Sequence, residues 1–260
     1  MSGEFTGEVA IVTGGAAGIG REISLSLAAS GAKVLALDLN IEGLKETKLL
    51  SDQRGCDLQI IQCDVANSES VKSAFNFAEK ELGYCTIMVA AAGIALYTDY
   101  LSMKEKDMDR TIAVNLKGPL LCAQESLRHM EKAGKGSIIF ISSVQAAMSL
   151  FGCVVYAATK SGLIAAARTL ALETGKLGVR VNTISPGTID TPMLDRDLAG
   201  MNREEASSFL EKVKAANVLG RIGTPAEIAD AVNYLVSSKA SYVTGIDLRV
   251  DAGFSALKQI

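Results

Sequence analysis

Histidine is almost missing from this chain: one, His129, occurs in 260 residues. It lies in a helical stretch beside charged residues and reads as a solvated helix residue. That removes histidine triads and histidine-rich metal centres from consideration. Cysteine is sparse and scattered. Cys56, Cys63, Cys85, Cys122 and Cys153 are odd in number and show no metal-like pairing. They read as small core residues in a reducing compartment, and no metal is expected. No apolar run is long enough to span a bilayer, and Met1-Ser2-Gly3-Glu4-Phe5 lacks the basic and apolar regions of a signal peptide. A cytoplasmic protein without a membrane partner is the expectation. Nor does either charge dominate: the net charge of −3 is spread through a mixed sequence, which argues against nucleic acid as a partner.

What is present is alternation. Short β-branched and apolar runs occur at Val9–Thr13, Lys33–Asp38, Gln59–Cys63, Thr86–Ala90, Ser137–Ile141, Arg180–Ile184 and Asp247–Val250. Several are apolar nearly throughout, as parallel strands covered on both faces require. Amphipathic helical segments fill the gaps, notably Asn67–Leu82, Lys106–Lys132 and Val154–Thr174. The pattern predicts an α/β fold: a doubly wound parallel sheet of about seven strands with helices on both faces. With no linker, low-complexity stretch or repeat, residues 1–260 read as a single domain. The pattern loosens between Thr191 and Gly223, where a polar helix (Arg203–Ala215) intrudes. A long excursion after a strand's carboxyl end suits a substrate lid. It ends at Thr224-Pro225-Ala226-Glu227, a capping box with proline at the first helical position.

The turn Thr13-Gly14-Gly15-Ala16-Ala17-Gly18-Ile19-Gly20 follows the first strand and opens a helical pattern. Gly14, Gly18 and Gly20 leave room for backbone amides to approach a pyrophosphate, and the helix N-terminus adds a favourable dipole. Asp38, at the end of the second strand, can accept hydrogen bonds from both adenosine ribose hydroxyls and would repel a 2′-phosphate. NAD is therefore the expected cofactor rather than NADP. Asp64, after the third strand, either bonds an adenine amino group or caps the helix that follows.

Tyr156 and Lys160 lie one helical turn apart and share a face. A free phenol has a pKa of about 10. The Lys160 ammonium is expected to favour the phenolate, making Tyr156 an acid/base, and can also hold a ribose.

With these pieces in order, the chain resembles the short-chain dehydrogenase/reductase family essentially end to end. The resemblance rests on Thr13-Gly14-x3-Gly18-x-Gly20, Asp64, Ala92-Gly93, Asn115, Ser143, Tyr156-x3-Lys160 and Pro186-Gly187. It implies a Rossmann-like NAD(P)-dependent oxidoreductase. Ser143, thirteen residues before Tyr156 and so preferred over Ser142, would orient the substrate oxygen; Tyr156 would exchange its proton. Lys160 would tune Tyr156 and grip the nicotinamide ribose, and Asn115 would hold a water that continues the proton path. Ile19, Val65 and Gly93 would line the cofactor. Pro186, Gly187, the Ile189 backbone and the Thr191 hydroxyl would meet the nicotinamide amide. The chain departs from the family at Ala90-Ala91-Ala92-Gly93, where asparagines usually brace the backbone.

The resemblance places the substrate among Ile94, Leu96, Met148, Leu150, Phe151, Met193 and Phe209, a largely apolar set. Gln145 either meets a second substrate oxygen or bonds loop backbone. A secondary alcohol or its ketone is expected as substrate, as a diol, cyclic alcohol, polyol or hydroxy acid. The competing readings are an NADPH-linked reductase, which Asp38 disfavours, and a dinucleotide sensor without catalysis. Family members pair through the helices holding Asn115 and Tyr156 and through the C-terminal strand and tail. A homotetramer or homodimer is expected, with Ala157, Ala158, Ala165, Ala166 and Ala167 allowing close helix contact.

Overall fold

A computed structural model describes residues 3–148 and 150–256; the last four residues of the tail lie outside it. Seven parallel strands form one sheet in the order β3-β2-β1-β4-β5-β6-β7. They are β1 (Val9–Thr13), β2 (Lys33–Asp38), β3 (Leu58–Gln62), β4 (Ile87–Ala90), β5 (Gly136–Ile141), β6 (Val179–Pro186) and β7 (Asp247–Val250). Three of these match the expected bounds; β3 shifts by one residue, β4 is one residue shorter, and β5 and β6 lengthen by one or two residues at an end.

Side chains that alternate along each strand divide between two cores. Ala10, Val12, Val34 and Ala36 point to one face, against α1 (Gly18–Ala29), α2 (Ile41–Gln53) and α9 (Pro225–Val236). Val9, Ile11, Leu35 and Leu37 point to the other, against α3 (Ser68–Glu81), α5 (Gly118–Ala133) and α6 (Val154–Thr174). Because both faces are covered, the strands need apolar residues at every position, which is why they read as continuous runs. The chain reverses its winding between β1 and β4. Their carboxyl ends open a crevice where this kind of sheet binds ligands.

The expected helix over Lys106–Lys132 is broken. It comprises α4 (Glu105–Ile112), a π-helical turn at Ala113–Lys117, and α5. The cause is Pro119, which has no N–H to give the carbonyl four residues back, that of Asn115. Gly118 N–H instead bonds Ala113 O, five residues back. The excursion after β6 holds a short helix that the sequence pattern did not show, α7 (Pro192–Leu198), before α8 (Arg203–Ala216). The Asn202 side chain accepts from the N–H groups of Glu204 and Glu205 and caps α8; the Glu227 carboxylate accepts from Thr224 N–H at the start of α9.

His129 is not a solvated helix residue. It is 4% exposed; its Nδ1 accepts from Cys85 N–H at 3.3 Å, and its ring meets Phe75 and Tyr84 edge-on. The charged neighbours that suggested solvent lie on the outer side of the helix, where Lys132 pairs with Glu79. Burial lowers the His129 pKa and keeps the ring neutral.

Candidate active site

A groove of about 390 Å³ runs over the carboxyl ends of β1, β2 and β4. Gly14, Gly18, Ile19 and Gly20 form one wall, Asp38, Asp64 and Val65 the far end, and Gly93 and Thr191 the opposite side. Glycine is required at two of these points. Gly14 has φ +75° and packs on the Ala91–Ala92 backbone; a Cβ on Gly20 would lie 2.2 Å from Gly14 O. The β1–α1 turn is thus folded tightly enough to present its amides.

The Asp38 carboxylate accepts from Ala16 N–H at 3.1 Å and from Asn40 N–H at 2.9 Å, which fixes it at the groove's edge. Asp64 does not cap α3: Asn67 does, while Asp64 accepts from Ala66 N–H at 2.9 Å. The residue lines the groove. Thr13 Oγ1 accepts the N–H groups of both Ala91 and Ala92 at 3.1 Å. One buried hydroxyl thus braces the segment that lacks the family's asparagines.

Ser142 and Ser143 point to different tasks. Ser142 Oγ donates to Lys160 O at 2.9 Å and fastens α6 to the end of β5. Ser143 Oγ accepts from Gln145 N–H at 3.1 Å and faces the Tyr156 phenol, drawing its pKa down. Burial acts on that phenol more strongly and pushes it up to about 12. Lys160 is expected to favour the phenolate; among the protein's own groups, burial weighs most on Tyr156. Lys160 Nζ lies 5.6 Å from the Tyr156 ring centroid and donates to Ile141 O at 2.8 Å. It is itself desolvated, which lowers it to about 8.

Asn115, in the π turn, is fully buried. Its Nδ2 donates to Ile94 O and its Oδ1 accepts from Ile94 N–H, both at 2.8 Å. The side chain therefore clamps the β4 exit rather than offering itself to water. The backbone carbonyl of Asn115 loses the usual partner four residues on, because Pro119 has no N–H. Gly93 joins the two halves of the site: it lines the groove, and a methyl placed on it would lie 3.5 Å from both Asn115 Oδ1 and Lys160 Nζ.

The other expected cofactor residues lie at and after the end of β6. Pro186 ends β6, and Gly187 N–H donates to Val250 O at 3.0 Å. Gly187 and Ile189 line a separate cavity of about 230 Å³ with Arg221 and Asp251. Thr191 bonds Ile189 O at 3.3 Å, and its methyl lies 3.3 Å from where a Cβ on Gly18 would sit, over the glycine turn. Gln145 Oε1 accepts from Leu150 N–H at 2.9 Å, the loop-bracing use. Phe151 is 87% exposed and stands outside the pocket wall expected of it. Arg110 and Arg196 line the groove as its only cations among the described residues; no spacing in the sequence marks Arg110.

A family model described as Enoyl-(Acyl carrier protein) reductase matches residues 14–255. D-threitol dehydrogenase of Mycolicibacterium smegmatis is 36% identical over 252 residues, covering 96% of this chain and 93% of that one. The chain belongs to the short-chain dehydrogenase/reductase family. Cis-4-hydroxycyclohexanecarboxylate dehydrogenase of Sinomonas cyclohexanicum is 34% identical over 260 residues, 99% of this chain and 100% of the relative. The crystal structure of a short-chain type dehydrogenase/reductase from Mycobacterium marinum superposes with a TM-score of 0.90 at 27% identity, covering 97% of each chain. Its oxidoreductase chemistry with an NAD(P) cofactor comes to this chain with family membership, and the groove and the Ser143–Tyr156–Lys160 group offer a place for it.

Proposed function

We propose that the protein is an NAD-dependent dehydrogenase interconverting a secondary alcohol and its ketone. The observation that carries this reading is Gly93, which borders the groove on one side and Lys160 on the other. A cofactor along the groove and a substrate against Tyr156 would therefore meet. Asp38 favours NAD: a 2′-phosphate at its end of the groove would meet a carboxylate.

The bound dinucleotide would supply the hydride acceptor. The chain supplies the rest. Ser143 Oγ donates a hydrogen bond to the substrate oxygen. Tyr156, as phenolate, takes the hydroxyl proton while the carbon's hydride departs; in the reverse direction the phenol returns it. Lys160 stabilises the phenolate with its charge, and the Asn115 carbonyl holds a water that passes the proton outward. Two relatives named for alcohol oxidation favour the dehydrogenase direction. D-threitol carries further hydroxyls, whereas cis-4-hydroxycyclohexanecarboxylate carries a carboxylate.

The test is NADH formation from NAD over secondary alcohols, diols, polyols and hydroxy acids, with NADP and Tyr156→Phe in parallel. Turnover that needs NAD and falls by about 10²–10⁴ in Tyr156→Phe is expected. A rate only with NADPH and ketones would replace it with the reductase reading. Cofactor binding without turnover anywhere would leave a dinucleotide sensor.

A further inference from the structure

We propose that a cavity at the amino ends of β4, β5 and β6 is a binding site for a short organic carboxylate, separate from the cofactor groove. The cavity, of about 240 Å³, is walled by Phe5 and Glu8, by Ile87, Ser137 and Arg180 near the starts of these strands, and by Val236 at the end of α9. The groove opens at the opposite end of the sheet: Ser137 and Ile141, near the two ends of β5, lie about 13 Å apart.

The wall of this cavity carries hydrogen-bond donors that the protein leaves unmatched. Ile87, Ser137 and Arg180 are in register on three neighbouring parallel strands, so their side chains share a face of the sheet. Ile87 belongs to the core that includes α9, which identifies the face. The Ser137 hydroxyl is buried there, on a residue 3% exposed, and has no hydrogen-bond partner among the described residues. Arg180 is half-buried beside it. Its Nη1 donates to Leu235 O at 2.6 Å and to Val243 O at 3.3 Å, and its Nη2 to Ser237 O at 3.3 Å. Those bonds leave Nε–H and one Nη2–H without an acceptor among the described residues.

Donors without acceptors beside a cavity call for a ligand that accepts, and charge narrows its class. Glu8 is matched by Lys135, and Glu4, which also lines the cavity, by Lys239 at 3.1 Å. Arg180 is then the one charge at the cavity without an opposite among the described residues, so a single negative charge balances it. A carboxylate takes the two guanidinium N–H groups side by side, with the Ser137 hydroxyl as a third donor. A phosphate dianion would bring a second charge towards Glu4 and Glu8. Phe5, Ile87 and Val236 give the cavity an apolar side, which suits the carbon end of an organic acid and not an inorganic ion.

The test is isothermal titration of sodium butanoate into the full-length protein, with sodium phosphate in parallel and ionic strength held by sodium chloride. Butanoate should bind one to one with a Kd on the order of 1 mM, more tightly than phosphate and unaffected by NADH or NADPH. Ser137→Ala should weaken it about tenfold, the loss of one hydrogen bond to a charged acceptor. Arg180→Lys keeps the charge but not the paired N–H groups and should weaken it further. Circular dichroism reports the fold of each variant; if Arg180→Lys does not fold, Ser137→Ala decides. Absence of saturable butanoate binding overturns the proposal, water alone then serving these donors. Tighter binding of phosphate overturns the carboxylate class. Butanoate affinity unmoved in Ser137→Ala, or butanoate displaced by either dinucleotide, places the acid elsewhere and overturns the site.

Discussion

Tyr156 sits where two effects oppose each other, and burial wins: its phenol rises to about 12 although Ser143 draws it down. A phenol placed so high is a ready proton donor to a ketone and a scarce base toward an alcohol. Alcohol oxidation requires the phenolate, whose fraction grows tenfold for each pH unit below the phenol's pKa. Oxidative kcat/KM should therefore rise steeply as pH increases from 6 to 8. Above about 8, where Lys160 gives up its proton, the ammonium no longer supports the phenolate and the rise should slacken. Reduction uses the protonated phenol and should stay level over the same range. Paired pH profiles for the two directions check this, and a flat oxidative profile would take the proton away from Tyr156. The spacing of Tyr156 and Lys160 was legible because four residues along a helix fix a shared face. The direction of the phenol's pKa was not, since desolvation depends on what the rest of the chain packs above it.

At the scale of elements, two small substitutions of chemistry shape the site. Pro119 denies Asn115 its helical partner and opens the π turn, while Thr13 answers for the missing asparagines. Both were printed in the sequence, but only one carried a rule. A proline inside a helical pattern breaks the i→i−4 ladder, so the interruption of Lys106–Lys132 could have been read from Pro119. That the Thr13 hydroxyl accepts two N–H groups from a strand end 78 and 79 residues away could not, because it depends on the register of β1 against β4. The same limit explains α7, too short for periodicity to declare it, and His129, whose inward face only the packing of α3 against α5 reveals. Thr13→Val keeps the shape and removes the acceptor, stranding two amides beside the groove. We expect a loss of about 1–3 kcal/mol in unfolding free energy with weaker NAD binding. Denaturant titration and cofactor titration check the two halves, and unchanged stability would mean that water replaces the hydroxyl.

For the whole molecule, the sheet accounts for both faces of every strand, yet apolar and small side chains stay exposed on α6, with Leu120 of α5 beside polar neighbours. Leu120, Val154 and Leu172 are exposed on these helices, Leu172 to 86%, and the exposed Ala158 and Ala165 allow a neighbouring helix to come close. Scattered exposed leucines are ordinary. The exposed Val154, Ala158, Ala165 and Leu172 of α6 are better accounted for by a second copy related by a two-fold axis, where the helix meets its own equivalent. We therefore expect a homotetramer at micromolar concentration, this face forming one of its two interfaces. Ala165→Glu places like charges opposite each other across the axis and should release smaller species without touching the groove. Sedimentation velocity reads the outcome directly. A wild type that sediments as a monomer, or an Ala165→Glu variant that keeps the assembly, would move the contact elsewhere. If the expected dissociation leaves NAD binding intact, the cofactor site is complete within one chain; if binding is lost, assembly holds the β5–α6 corner in place.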